Sequence, residues 1–263
     1  MRFRLLLEYA GTRYSGWQIQ KNAKTVQGEI DRAVAAVSGR HDFELYGSGR
    51  TDAGVHALGQ VAHLDLQTRF SPEELMRSVN DGLPSDINLL DVARVPHRFH
   101  ARHDAVARSY LYQVARRRTA FAKPYVWWVK EELDVARMRS AAARFAGMHD
   151  YRAFSDANPD EASTTVQIDG VQMDESGDLL LVRVEGSHFL WKMVRRMIGV
   201  LVEVGRGQLG PEDVGVLLEG RSRLPARVTA PASGLFLERV FYAGDRRDYP
   251  LVPPLFTLGH RSG

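Results

Sequence analysis

The chain has 263 residues, of which 44% are hydrophobic and 25% charged, the balance of a folded protein long enough for one large domain or two smaller ones. Cysteine is absent, which excludes disulfides, thiol nucleophiles and thiolate metal sites and fits a reducing, cytoplasmic setting. The net charge is +3, but residues 94–152 hold 13 Lys/Arg against 5 Asp/Glu while both flanking regions are net negative. Such a concentration is the electrostatic footprint expected for a polyanion such as nucleic acid, although any single cation in it can equally belong to a solvated face. No apolar run reaches the length of a membrane span, and residues 1–8 are too short for the apolar region of a signal peptide.

Phe3, Leu5, Leu7 and Tyr9 alternate, which predicts a strand over residues 2–9. A loop rich in Gly, aromatic and polar groups follows from Gly11 to Gln18. Thr25 is a plausible N-cap for a helix whose Val26, Ile30, Ala33, Val34 and Val37 share a face before Gly39 stops it. Residues 43–46 and 60–66 read as strands. Ser71-Pro72-Glu73-Glu74 combines a capping box with proline at the first helical position, so a helix starts there and ends near Gly82. Residues 87–95 make another strand.

That β-α-β-β-α-β order recurs from Arg108. Residues 108–116 read as a strand with Tyr110, Tyr112 and Val114 on one face, and residues 134–147 as a helix capped by Asp134. Strands over 164–173 and 179–185 flank a turn at Ser176-Gly177-Asp178. A long helix over 189–205, a short one over 211–220 and a strand over 235–242 close the chain. The expected fold is α+β, with two split β-α-β-β-α-β units of ferredoxin or RNA-recognition type and largely antiparallel sheet with helices packed on it. The expected subdomains are 1–105 and 106–263.

The most distinctive stretch is Gly47-Ser48-Gly49-Arg50-Thr51-Asp52-Ala53-Gly54-Val55-His56-Ala57. Its glycines let the backbone turn sharply and approach a ligand closely. Asp52 stands where a dinucleotide fingerprint has its third glycine, a strand rather than a helix follows, and no Walker lysine is present. A carboxylate with an arginine two residues away favours the ionised state needed by a nucleophile or base; a hairpin turn in which Asp52 bonds its own backbone explains the loop equally well. His56 and His63 alternate without a third ligand nearby, so no metal is expected. In the long helix Met193, Met197, Val200, Leu201 and Val204 form an apolar face, with Lys192, Arg195 and Arg196 on another. Arg116-Arg117-Arg118, near Lys123, Tyr125, Trp127 and Trp128, offers phosphate contacts beside stacking surfaces.

In their order these motifs resemble the tRNA pseudouridine synthase A (TruA) family over almost the whole chain. The resemblance rests on Tyr9-Ala10-Gly11-Thr12, Gly16-Trp17-Gln18, Thr25-Val26-Gln27-Gly28 and the loop from Gly47 to Ala57. It continues through Leu83-Pro84, Ala101-Arg102, Tyr110-Leu111-Tyr112, His149-Asp150, Phe189-Leu190, Met193-Val194-Arg195, Ala230-Pro231 and Gly234-Leu235. It implies isomerisation of uridine to pseudouridine in the anticodon stem-loop of tRNA (positions 38, 39 and 40), without cofactor or metal, by a homodimer. By motif, Asp52 is the catalytic aspartate, Arg50 the residue that orients it, and Tyr110 the ring that stacks on the target base. Arg195 matches the arginine that neighbours the aspartate, and Leu235 the apolar residue under the tyrosine. Arg116, Arg117, Arg118, Lys192 and Arg196 are expected to dock RNA. One departure is that Thr164-Thr165 stands where the family usually has an arginine, so an RNA contact is either lost or supplied elsewhere, with Arg152 a candidate. The rival classes are a non-catalytic RNA-binding module, which leaves the Arg50–Asp52 loop unexplained, and a hydrolase using Asp52 with His56, which leaves the basic segment unexplained.

Overall fold

Alternation in the first eight residues is realised as strand β1, Arg2–Tyr9, whose Phe3, Leu5, Leu7 and Tyr9 are all buried. Helix α1, Val26–Ser38, is capped by the Thr25 hydroxyl, which accepts from the Gly28 N–H, and stops at Gly39 in the left-handed region with φ 65°. Strands β2, Glu44–Gly47, and β3, His56–Asp65, form an antiparallel pair joined by the glycine-rich loop. Helix α2, Pro72–Gly82, has the full capping box of Ser71 with Glu74, and β4, Ile87–Val95, returns beside β1. The computed structural model describes residues 1–156, 163–220 and 222–254.

Two compact units emerge, Met1–Val106 with Phe236–Asp245 and Ala107–Leu235 with Arg246–Gly263. In the first, β1 lies between β4 and β3, antiparallel to both. Here β3 starts four residues earlier than its alternation predicts. His56 and Ala57 pair parallel with Phe236 and Leu237, and Ala57 also pairs with Tyr9 of β1, partners too remote in sequence for a local pattern to reveal.

The second unit is built on β5, Ala105–Ala115, and includes the two-residue strand β6, Trp127–Trp128, which pairs parallel to it. Helix α3, Val135–Ala142, is shorter than expected, because the chain tightens into a 3-10 turn at Ala143–Phe145 and leaves as strand β7, Gly147–Asp150. Strands β8, Thr165–Ser176, and β9, Leu179–Gly186, form an antiparallel hairpin between β7 and β5.

Helix α4, Met193–Gly205, begins four residues later than its apolar spacing predicts. Lys192 takes a left-handed φ of 63°, which stops the helix from extending toward Phe189. Short helices α5, Asp213–Glu219, and α6, Leu224–Arg227, follow, and strand β10, Leu235–Tyr242, clusters with the first unit from Phe236 onward. The fold is α+β, with mostly antiparallel sheet and helices packed on it. Residues 255–263, part of the expected second subdomain, lie outside the described residues.

Candidate active site

The loop between β2 and β3 is fixed on both sides of its carboxylate. At its start the Ser48 N–H donates to Val61 O at 2.7 Å, the Ser48 hydroxyl to Gln60 Oε1 at 2.8 Å, and Gln60 Nε2 to Gly49 O at 3.1 Å. Thr51 is buried; its hydroxyl shares a 2.8 Å hydrogen bond with the Tyr9 hydroxyl and its carbonyl accepts from the Trp17 N–H at 3.1 Å. The Val55 N–H donates to Asp52 O at 3.1 Å, closing a four-residue turn that places Gly54 at φ 79°. Asp52 is half-buried at the first position of this turn, while Arg50 is exposed. A carboxylate whose backbone is held from two directions presents a fixed charge to a reacting atom, which is what nucleophilic or base catalysis needs.

Much of that rigidity comes from residues 11–17, whose role the sequence leaves unstated. A Cβ on Gly11 would fall 1.9 Å from Val55 O, one on Gly47 2.6 Å from the Trp17 ring, and one on Gly16 2.6 Å from Thr51 O. Gly16 also has φ 92°, a conformation side chains resist. The two loops therefore approach backbone to backbone, and the buried Trp17 fills the space beside Gly47. Tyr14 is anchored by donating to Asp86 Oδ1 at 2.5 Å; burial first and then this hydrogen bond push its phenol well above the usual range. The signal available in the sequence was the alternation of Gly11 and Gly16 with Tyr14 and Trp17. Gly16→Ala is expected to cost about 1–3 kcal/mol of stability and to depress activity well beyond the fraction unfolded, since the backbone beside Asp52 must move. Denaturant unfolding compared with turnover checks this; activity that merely tracks the folded fraction would show that the loop contact is only structural.

The two histidines of β3 have structural duties. His56 Nδ1 accepts from the Gly11 N–H at 3.0 Å and its ring stacks on Phe236 at 4.7 Å. His63 Nδ1 accepts from the Ala101 N–H at 3.2 Å, and burial, then the Arg2 charge, hold its pKa down at about 4. It is neutral at physiological pH. Among the described residues no group of three or more His, Asp or Glu is arranged to hold a metal ion.

In the second unit, Tyr110 on β5 is half-buried with its ring edge-on to Phe189 at 5.0 Å. Tyr112, two residues on and on the same face, is fully buried and donates its hydroxyl to Pro231 O at 2.8 Å. Arg195 on α4 donates Nε–H to Ala230 O at 2.7 Å, while the Ala230 N–H donates back to Arg195 O at 3.0 Å. A Cβ on Gly199 would sit 1.7 Å from Val228 O, and one on Gly234 2.6 Å from the Tyr112 ring. Helix, tyrosine strand and residues 228–235 thus lock together, and Leu235 is buried at the end of the locked segment.

Known proteins resemble this chain in sequence. A family model described as tRNA pseudouridine synthase matches residues 6–104 and 141–243. The chain belongs to the tRNA pseudouridine synthase family. A tRNA pseudouridine synthase A of Exiguobacterium sibiricum is 37% identical over 94% of this chain and 98% of its own length. One of Syntrophotalea carbinolica is 42% identical over 91% of this chain and 96% of its own, and one of Afipia carboxidovorans 39% identical over 92% and 99%. A solved structure of a Cbf5-Nop10-Gar1 complex aligns at a TM-score of 0.36 and 12% identity, over 73% of this chain and 46% of that one, too loosely to carry an argument.

For this member of the tRNA pseudouridine synthase family, the expected docking residues divide. Arg196 is only 4% exposed, paired with Asp156 and turned to Ala153 O, so its charge has internal partners. The 3.6-residue period put it beside Lys192 and Arg195, but α4 is buried nearly all round. Lys192 also pairs with Asp156, at 2.8 Å, and its ammonium lies 4.6 Å from the centre of the exposed Trp191 ring. Arg116 pairs with Glu175 at 2.5 Å and Arg117 with Asp178, both acids belonging to the β8–β9 hairpin. Arg118 instead lies over the partly exposed Trp128 ring at 5.8 Å. Thr164 is buried and donates its hydroxyl to Asp150 Oδ1 at 2.6 Å, and Arg152 Nε donates to Asp150 Oδ2 at 2.6 Å. Burial alone would raise the Asp150 carboxyl, but these hydrogen bonds hold it below its usual value. Arg152 therefore has an internal partner in the region where the family's arginine is replaced by threonine.

Proposed function

We propose that the chain isomerises uridine to pseudouridine in tRNA, within the anticodon stem-loop. The N1–C1′ bond breaks, the detached uracil rotates, a C5–C1′ bond forms, and the C5 hydrogen leaves as a proton while N1 gains one. No net oxidation or reduction occurs, and the reading calls for neither cofactor nor metal. The observation that carries it is the half-buried Asp52 carboxylate on a loop pinned from residues 9–17 and 60–61, in a chain of the tRNA pseudouridine synthase family. Asp52 either attacks C1′ and stabilises the sugar covalently or removes a sugar proton to give a glycal. Tyr110 stacks on the extruded base, which offsets the cost of taking it from its stack. Arg195, held on Ala230, contributes a fixed positive charge; Arg50 helps to orient the carboxylate; Leu235 is an apolar wall that keeps water from the intermediate. We further infer a cytoplasmic homodimer; no described helix is long and apolar enough to cross a membrane. Release of tritium from tRNA labelled at uridine C5 tests the reaction, because neither an RNA-binding module nor a hydrolase displaces that hydrogen. No release from competent tRNA would overturn the reading.

Arg116, Arg117, Arg118 and Lys192 are proposed as phosphate contacts. Each contact releases condensed counterions, so the slope of log affinity against log salt flattens by roughly 0.7–0.9 per contact removed. Arg118, the one of the arginine trio that faces an aromatic ring rather than a carboxylate, is expected to account for most of the change in a variant with all three arginines replaced by alanine. Turnover at saturating tRNA changes little, because Asp52 is untouched. Thermal stability is followed in parallel, since the hairpin loses two ion pairs and the arginine stems their packing. Superimposed salt titrations of wild type and variant would assign these residues to a solvated face.

A further inference from the structure

Outside the residues assigned to the reaction, the first unit carries a ledge of aromatic rings. Tyr46 is the residue before the glycine-rich loop and remains 54% exposed. Its ring lies within 10° of parallel to His63 at 5.7 Å; His100 meets His63 at 4.7 Å and Tyr46 at 5.8 Å, and His103 follows His100 at 4.2 Å. The inner imidazoles act as acceptors: His63 Nδ1 takes the Ala101 N–H, and His100 Nδ1 takes those of Arg102 and His103 at 3.1 and 3.3 Å. Burial holds both pKa values below the ordinary histidine range. With His63 and His100 held toward the neutral form, the exposed Tyr46 ring and its neighbours make an aromatic surface suited to stacking.

Its rim is cationic. Residues 94–104 contain Arg94, Arg98 and Arg102 against Asp104 alone, and all three arginines are exposed. The segment that presents them is anchored within the unit. Arg2 donates to Phe99 O at 2.7 Å, the Tyr242 hydroxyl to Ala101 O at 2.7 Å, and turns close from Phe99 to Pro96 and from Asp104 to His100. Arg2 is itself held by Asp65. Arginines carried on an anchored backbone segment lower the ordering cost of binding a phosphate chain. Much of the positive charge elsewhere in the central segment is matched: Arg116 and Arg117 face carboxylates, whereas Arg98 enters no ion pair among the described residues.

We propose that this ledge is a second RNA contact site, separate from the reacting residues. An unpaired base of the substrate stacks on Tyr46 while its flanking phosphates meet Arg98 and Arg102. Because Tyr46 leads directly into the Asp52 loop, a nucleotide held there is covalently close to the one being isomerised, and the ledge sets its register. The inference rests on tRNA being the substrate.

The test uses an unmodified tRNA transcript with full-length wild type, Tyr46→Ala, Tyr46→Phe and Arg98→Ala. Tyr46→Ala is expected to weaken affinity and raise KM roughly five-fold or more, the loss of one base stack, with kcat within about two-fold. Tyr46→Phe keeps the ring and restores both. Arg98→Ala flattens the salt slope by just under one contact, roughly 0.7–0.9. Unchanged affinity and KM in Tyr46→Ala and Arg98→Ala would overturn the proposal, as would an equal loss for double-stranded DNA, which has no unpaired base to stack. If wild type forms no pseudouridine, the proposed reaction fails, yet the binding series still reports on the ledge.

Discussion

Asp52→Asn is expected to reduce pseudouridine formation by at least roughly 10³-fold while tRNA affinity stays within several-fold of wild type. The substitution keeps size and polarity but removes the charge that makes the group a nucleophile or base. It leaves the loop intact, because the backbone around residue 52 is held by the Asp52 carbonyl, Thr51, Gly54 and the 11–17 segment rather than by the carboxylate alone. Single-turnover rates and filter-binding affinities on the same preparation check it, with thermal unfolding to show that the fold is unchanged. Substantial turnover in clean protein would remove Asp52 from the chemistry. Deuterium at C2′ of the target nucleotide then separates the two routes open to the carboxylate: removal of that sugar proton in a rate-limiting step is slowed, and attack at C1′ is not.

What the sequence made legible depended on how local the governing physics was. The capped helices at Thr25 and Ser71 and the alternating strands over 2–9 and 87–95 follow from interactions within a few residues, and the structure reproduces their limits. The misplaced limits share a different cause. Strand β3 pairs at its start with Phe236, Leu237 and Tyr9, α4 is shortened by the left-handed Lys192, and the two-residue β6 exists only because it lies beside β5. Asp52 stood out by residue type and by resemblance, although local chemistry alone left a plain hairpin turn equally open. The rigidity of its loop was not legible, because it comes from Gly11 and Gly16 touching Val55 and Thr51 some forty residues away. At Arg196 spacing gives a helix face, but only packing says whether that face meets solvent, and here the side chain meets Asp156.

Tyr110 carries the other large expected effect, and Tyr112 supplies its control. Both lie on the same face of β5, opposite Val184 and Val182 of β9, so backbone strain from substitution should be alike. Their surroundings differ: Tyr112 is fully buried and spends its hydroxyl on Pro231 O, whereas Tyr110 is half-buried against the edge of Phe189. If Tyr110 stacks on the base and assists proton transfer, Tyr110→Phe binds tRNA almost normally and turns over slower by roughly 10²-fold or more. Tyr110→Ala additionally loses a stack worth ~1–3 kcal/mol, which is roughly five-fold or more in affinity. Tyr112→Phe should instead lower stability by about 0.5–1.5 kcal/mol through its lost hydrogen bond, with little effect on turnover per folded molecule. Affinity, single-turnover rate and unfolding free energy for the three variants distinguish these outcomes. Near-wild-type activity in both Tyr110 variants would make that residue, like Tyr112, a packing element of its strand, and the stacking role would have to pass to another ring.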